Sequence, residues 1–178
     1  SREQELREQA MRDVLTGIYN KAGEKLIDRM VKEKGQGLFL MLDLNDFKSI
    51  NDTMGHAAGD AILTEMGRVL KGACRENDIV ARIGGDEFVM FLPGAFDWQT
   101  GKRKIGEIQD SLRTVMITTW GIRGIRASIG AALCPEDGMD YETLFKAADE
   151  AMYLDKEQSK NRNESREAGE EKQDRTIS

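Results

Sequence analysis

Ile79-Val80-Ala81-Arg82-Ile83-Gly84-Gly85-Asp86-Glu87-Phe88-Val89-Met90-Phe91-Leu92 holds two apolar runs parted by a glycine pair. Residues 79–83 and 87–92 have the β-branched and aromatic content of strands, and the tight Gly84-Gly85 between them signals a hairpin. Two acids, Asp86 and Glu87, follow the turn directly.

Upstream, Leu38-Phe39-Leu40-Met41-Leu42 is unbroken apolar chain, opened by Gly35 and Gly37 and closed by Asp43. Such a run reads as a strand buried on both faces. Around these strands the spacing turns helical. Residues 21–34 place Leu26, Ile27, Met30 and Val31 on one face, and residues 57–74 do the same with Ile62, Leu63, Met66, Val69 and Leu70. Residues 99–117 read as a helix, 122–133 alternate as a strand, and 141–159 form a last helix with Leu144, Phe145, Ala148, Met152 and Tyr153. The order helix, strand, helix, hairpin, helix, strand, helix argues an α/β (α+β) sandwich, one central sheet with helices packed on it. Residues 1–12 are polar and helix-favouring, as a connecting helix would be. Residues 13–160 form the domain, and the polar tail 161–178 is expected to be disordered.

The chain has 178 residues, 39% hydrophobic and 33% charged, with a net charge of -6. That suits one domain and offers no basic stripe for a nucleic-acid polymer. Cys74 and Cys134 lack metal-ligand spacing and read as reduced thiols of a cytoplasmic protein. No apolar segment is long enough to span a membrane, so this stretch is expected to make no membrane contact. The first residue is Ser1 rather than Met, which reads as a piece of a longer chain with room for a membrane anchor outside this segment.

The chemistry concentrates at strand ends. If the strand ending at Asp43 neighbours the hairpin, then Asp43, Asp86 and Glu87 converge. Oxygen ligands of that kind hold Mg²⁺ at roughly 2.0–2.1 Å and share it with substrate phosphates. Two such ions about 3.5–4 Å apart serve phosphoryl or nucleotidyl transfer. Taken singly, each acid reads as a solvated surface group. After Asp43 come Asn45-Asp46-Phe47-Lys48, Asn51-Asp52, Gly55-His56 and Gly59-Asp60. A turn leaving a strand offers N–H groups to phosphates, and Lys48 adds a charge. Asn51 and Asp60 suit guanine, whose N1–H and 2-amino donors match one carboxylate; the simpler role for Asn51-Asp52 is a helix cap. His56, the only histidine, reads as a packing or hydrogen-bonding residue rather than a base.

Gly84-Gly85-Asp86-Glu87-Phe88 spells GGDEF, and with Asp13-Val14-Leu15-Thr16 and the stretch from Asp43 to Asp60 the chain resembles the GGDEF-domain family of diguanylate cyclases from about residue 13 to residue 162. The resemblance implies a nucleotide-cyclase fold with a ferredoxin-like sheet, similar to polymerase palms and adenylyl cyclases. It implies condensation of two GTP into cyclic di-GMP, with two pyrophosphates released, by a homodimer holding one GTP per subunit. By the same resemblance Asp43, Asp86, Glu87 and the carbonyl of Leu44 bind two Mg²⁺ (or Mn²⁺) per site, and Asp86 and Glu87 are the catalytic pair. Asn51 and Asp60 would recognise guanine. Lys48, the turn backbone at Phe47, Lys156 and Lys160 would bind the triphosphate. Asp60 favours GTP over ATP, which sets aside an adenylyl cyclase or polymerase activity.

Two positions depart from the family pattern. Lys160 stands where arginine is usual, keeping charge but losing the bidentate fork, and Asn45 replaces a frequent aspartate. Arg75-Glu76-Asn77-Asp78 is by itself a surface ion pair worth little. It coincides with the family's product-inhibition site, where Arg75 and Asp78 would bind cyclic di-GMP. A sensor domain is expected upstream. The alternative reading is a non-catalytic domain that binds GTP or cyclic di-GMP and signals through protein contacts.

Overall fold

The computed structural model describes residues 1–177, with the side chains of all of these except 159, 163 and 172–177. The chain runs α1 (Arg2–Ala10), α2 (Gly23–Lys34), β1 (Gly37–Leu44), α3 (Phe47–Met54), α4 (His56–Gly72), β2 (Ile79–Arg82), β3 (Glu87–Pro93), α5 (Trp98–Arg113), β4 (Met116–Ile117), β5 (Ile122–Arg123), β6 (Ala127–Cys134) and α6 (Tyr141–Ile177). The main sheet has the order β2-β3-β1-β6, with every neighbouring pair antiparallel. From β1 to β6 this is the ferredoxin-like pattern, and β1 sits in the middle of it.

The unbroken apolar run in β1 follows from that position. Successive side chains of a strand point to opposite faces, and both faces are covered. Leu38, Leu40, Leu42 and Leu44 join Phe88 and Met90 against α4 and α5, through Ile62, Met66, Ile108 and Leu112. Phe39 and Met41 join Val89 and Phe91 against α2 and α6, through Ile27, Val31, Leu144 and Ala148. Fully burying each such side chain contributes about 1.5–3 kcal/mol. Gly130 of β6 sets how closely α6 approaches. A Cβ there would meet the Ala148 carbonyl oxygen and come within 2.6 Å of the Met152 nitrogen. The bare backbone therefore lets α6 lie flush on the sheet.

Four boundaries differ from the sequence reading. The expected helix 99–117 stops at Arg113, and residues 116–117 pair instead with 122–123 in a two-stranded ribbon. The expected strand 122–133 is interrupted at Gly124, whose φ of +78° takes the chain out of the extended region. The stretch after Asp43 leaves the strand by a turn as expected, but residues 47–54 then form α3, so Asn51 and Asp52 lie inside a helix instead of capping one. The polar tail from residue 161, expected to be disordered, continues α6 as far as Ile177. Its Glu, Lys, Gln and Arg are good helix formers, and a lack of apolar residues does not separate a solvated helix from coil. The part of the tail at 172–178, apart from the helical backbone to 177, lies outside the described residues, as does the side chain of Ser159.

Candidate active site

Because β1 and β3 are antiparallel neighbours, Asp43 lies directly opposite Glu87. The Leu44 N–H donates to the Asp86 carbonyl at 3.2 Å. The hairpin turn thus closes over the end of β1, and the condition for the carboxylates to meet is satisfied. Asp86 is pushed above its ordinary value, first by burial and then by the Asp43 carboxylate beside it, with Glu87 adding to the effect. One Asp43 oxygen, Oδ1, is buried without a hydrogen-bond partner, while Oδ2 accepts from the Lys156 ammonium at 2.6 Å. Lys156 reaches this point because α6 lies so close to β6.

The three carboxylates are neighbours without forming a closed ligand set. Among the described residues no three acidic, His or Cys groups stand together in metal-ligating geometry. Lys156 takes one face of Asp43 and neutralises it there. The donor set still fits a hard divalent cation. Two crowded carboxylates, an orphaned buried oxygen and the end of a strand with its carbonyls supply oxygen only, the preference of Mg²⁺.

Next to the carboxylates, Asp46 has φ +57°, the only positive value at a described residue other than glycine. This strained turn starts α3, whose first N–H groups receive no side-chain cap. Uncapped N–H groups at a helix start favour anions. Lys48, on the first turn of α3, is exposed. The Phe47 ring packs against the core and beside Gly59, so its side chain supports the turn.

Asn51 and Asp60 come from different helices, and glycine brings them together. A Cβ at Gly59 would strike Asn51 Oδ1 and lie 3.3 Å from the Phe47 ring. Only glycine lets α3 seat Asn51 against the turn of α4 that carries Asp60. The Asp60 carboxylate is exposed and makes no hydrogen bond among the described residues. His56 is exposed at the start of α4 and makes no side-chain hydrogen bond among the described residues, unlike the packing or hydrogen-bonding role expected of it. Lys160 is exposed on α6, one turn beyond Lys156.

The Arg75–Asp78 pair lies apart from this site. Asp78 has a side chain only 2% exposed, and it accepts from the Arg75 N–H at 2.7 Å. Its carboxylate closes the turn and leaves the Arg75 guanidinium outside, on a cavity of about 370 Å³ bordered by Lys34, Gln36 and Gly94. Neighbouring Cys74 is a free thiol pushed up to about 11, chiefly by burial; Cys134 is also free, buried and raised by burial.

One pair of residues escaped the sequence reading. Arg82, at the end of β2, donates Nε and Nη2 to the Gly85 carbonyl at 3.0 and 2.9 Å, and Nη1 to Asp13 at 3.1 Å. Burial alone would raise Asp13, but the Thr16 N–H and hydroxyl and the Arg82 charge hold it below the usual carboxylate value. The carboxylate-bearing turn is therefore tied to the segment that enters the domain. Asp13 and Arg82 are 69 residues apart in sequence, and no spacing rule links them.

Comparison with known proteins agrees with this geometry. The family model described as diguanylate cyclase, GGDEF domain matches residues 10–162. Diguanylate cyclase DgcS of Shewanella oneidensis is 33% identical over 165 residues, covering 89% of this chain and 53% of DgcS. Diguanylate cyclase TpbB of Pseudomonas aeruginosa is 34% identical, covering 87% of this chain and 37% of TpbB. The chain thus spans about half or less of the length of these relatives. Among solved structures, the GGDEF domain of TpbB superimposes with a TM-score of 0.76 at 34% identity, covering 83% of this chain and 89% of that one. The coiled coil and GGDEF domain of DgcB from Caulobacter crescentus, in complex with c-di-GMP, gives 0.77 at 27% identity over 88% and 85%. With the motif at the turn, the ferredoxin-like sheet and the match over most of its length in agreement, the chain belongs to the GGDEF-domain family of diguanylate cyclases.

Proposed function

We propose that this chain is the catalytic part of a diguanylate cyclase, joining two GTP into cyclic di-GMP as a homodimer. The observation that carries the reading is Asp43 set opposite Glu87 and beside Asp86, with one buried carboxylate oxygen unpartnered, next to the uncapped start of α3. Asn51 and Asp60 hold the guanine of one GTP, and Asp60 accepts from its N1–H and 2-amino group. The N–H groups at the start of α3, with Lys48 and Lys160, take the triphosphate. Lys156 leaves Asp43 for the phosphates as the site fills. Asp43, Asp86, Glu87 and the Leu44 carbonyl hold Mg²⁺ or Mn²⁺, which supplies Lewis-acid activation of the hydroxyl and charge stabilisation at the α-phosphate. The 3′-oxygen of each nucleotide forms a bond to the other's α-phosphorus while the bond to the β-phosphate oxygen breaks. Pyrophosphate departs, and the hydroxyl proton passes to Glu87 or to water. Each subunit presents one such face, so two must meet.

Feedback by cyclic di-GMP at Arg75 fits the exposed guanidinium held by the Asp78 turn, which offers a fork to phosphate or guanine oxygens. A sensor domain preceding α1 would control how often two faces meet.

Incubation with GTP and Mg²⁺ at several protein concentrations, after stripping bound product, tests the reading by chromatography of the nucleotides. Cyclic di-GMP and pyrophosphate should appear with a steeper-than-linear dependence on protein concentration. Asp86→Ala or Glu87→Ala should abolish them in a folded protein, and normal turnover by either variant would overturn the site. The Asp43–Lys156 ion pair favours one other reading, a domain that binds GTP or cyclic di-GMP and signals through contacts, because it already satisfies one side of Asp43. Tight cyclic di-GMP binding with no turnover at any concentration would support that reading instead.

A further inference from the structure

On the far side of the Asn45–Asp46 turn, between the end of α5, the start of β6 and α6, lies a groove of about 660 Å³. Four arginines border it, Arg113, Arg123, Arg126 and Arg162, with one carboxylate, Asp155. In a chain of net charge -6 this is a local inversion of sign. Arg113 is paired with Asp110 at 2.8 Å. Arg123, Arg126 and Arg162 have no acidic partner among the described residues.

The wall carrying these arginines is held by backbone. Gly124 N–H donates to the Val115 carbonyl at 2.6 Å and Ile125 N–H to the Leu112 carbonyl at 2.8 Å. A Cβ at Gly124 would lie 3.0 Å from the Arg113 carbonyl oxygen, so the loop sits flush on the end of α5. The groove also adjoins the proposed catalytic centre. The Asn45 N–H donates to the Arg126 carbonyl at 2.9 Å, and buried Ser128 donates its hydroxyl to Asn45 Oδ1 at 2.7 Å. Asn45 is two residues beyond Asp43.

We infer that this groove is a binding site for an oligophosphate anion, and that it receives the pyrophosphate released at the neighbouring centre. Unpaired guanidinium groups on a rigid wall, with little carboxylate among them, recognise phosphate oxygens through paired N–H donors. The groove has room for a small anion, and no aromatic residue lines it to stack a base. Its assignment to released pyrophosphate rests on the proposed cyclase reaction; the anion site does not.

Titration calorimetry with inorganic pyrophosphate in EDTA, without nucleotide, tests the site apart from turnover. Wild-type protein should bind. Arg123→Gln/Arg126→Gln should bind at least about tenfold more weakly, the effect of losing about 1.4 kcal/mol. Arg123→Lys/Arg126→Lys should fall between, since charge stays and the fork is lost, and thermal melting confirms that both variants are folded. Lys71→Ala, which removes an exposed lysine from the last turn of α4, should bind within about twofold of wild type. No binding by wild type, unchanged affinity in the Gln pair, or an equal loss in Lys71→Ala would overturn the site. A GTP titration distinguishes the source of the phosphates: tighter binding than pyrophosphate that depends on Arg123 and Arg126 would overturn the leaving-group assignment. A protein that binds pyrophosphate here yet makes no cyclic di-GMP would refute the cyclase reading and leave the anion site standing.

Discussion

Burial and the Asp43 and Glu87 carboxylates raise Asp86 above its ordinary 3.8. In the unfolded chain Asp86 loses its proton near 3.8, and in the folded chain at a higher pH. The stability it contributes is therefore complete below 3.8 and is lost as pH rises through the folded value. Asp86→Asn removes that loss, so it should melt a few degrees above wild type at pH 7 while making no product. The advantage should shrink as pH falls toward 3.8, which scanning calorimetry across a pH series would measure. Equal melting at neutral pH would show that the crowding is relieved in solution. Arg82 presents the opposite case. Its guanidinium and Asp13 are only 19% and 17% exposed. Arg82→Ala strands a half-buried carboxylate and frees the Gly85 carbonyl, at a cost of about 2 kcal/mol in denaturant unfolding. In a double-mutant cycle with Asp13→Ala the coupling should exceed about 0.5 kcal/mol. Turnover should fall as well, because the carboxylate-bearing turn that Arg82 and Asp13 support loosens. These two positions also mark a limit of the sequence. Asp86 and Glu87 are legible because a glycine pair and two apolar runs surround them. Arg82 looks like any strand-end arginine until the fold sets Asp13 beside it.

At the scale of elements, glycines set two approaches that the site depends on. Gly130→Ala should drive α6 off β6, since the new methyl meets the Ala148 carbonyl and the Met152 backbone. Overpacking of this kind costs about 1–3 kcal/mol, and the shift should carry Lys156 away from Asp43. A drop in melting temperature together with weaker GTP binding would bear this out. Gly59→Ala acts more narrowly, displacing Asn51 from Asp60. It should raise the KM for GTP with a smaller effect on stability, and an unchanged KM would count against base recognition at this corner. The strands and the longer helices were legible because their apolar periods are long and clean. Residues 47–54 do carry a helical apolar spacing, Phe47, Ile50 and Met54, but two turns closed by Gly55 are too short to stand out from a loop. The ribbon at 116–123 was absorbed into its neighbours for the same reason. The arginine groove left no local signal at all, since residues from α5, β5, the β5–β6 loop and α6 meet there only in the fold.

For the molecule as a whole, α1 contributes no buried residue, whereas Asp13 is tied to the hairpin. Deleting residues 1–10 should leave unfolding within about 0.5 kcal/mol of wild type. Deleting through Thr16 should destabilise far more and mimic Arg82→Ala, and equal effects of the two deletions would refute the division. Among the described residues no helix is long and apolar enough to cross a membrane. The two sulfur atoms have a practical consequence. With Cys74 titrating near 11, roughly one molecule in ten thousand carries its thiolate at neutral pH, and Cys134 is shielded inside the sheet. Maleimides and mild oxidants should leave the native chain almost untouched. A cysteine introduced at exposed Thr53 would then be the one fast-reacting position, and a fluorophore placed there could test in real time the proposed meeting of two catalytic faces without removing either natural sulfur.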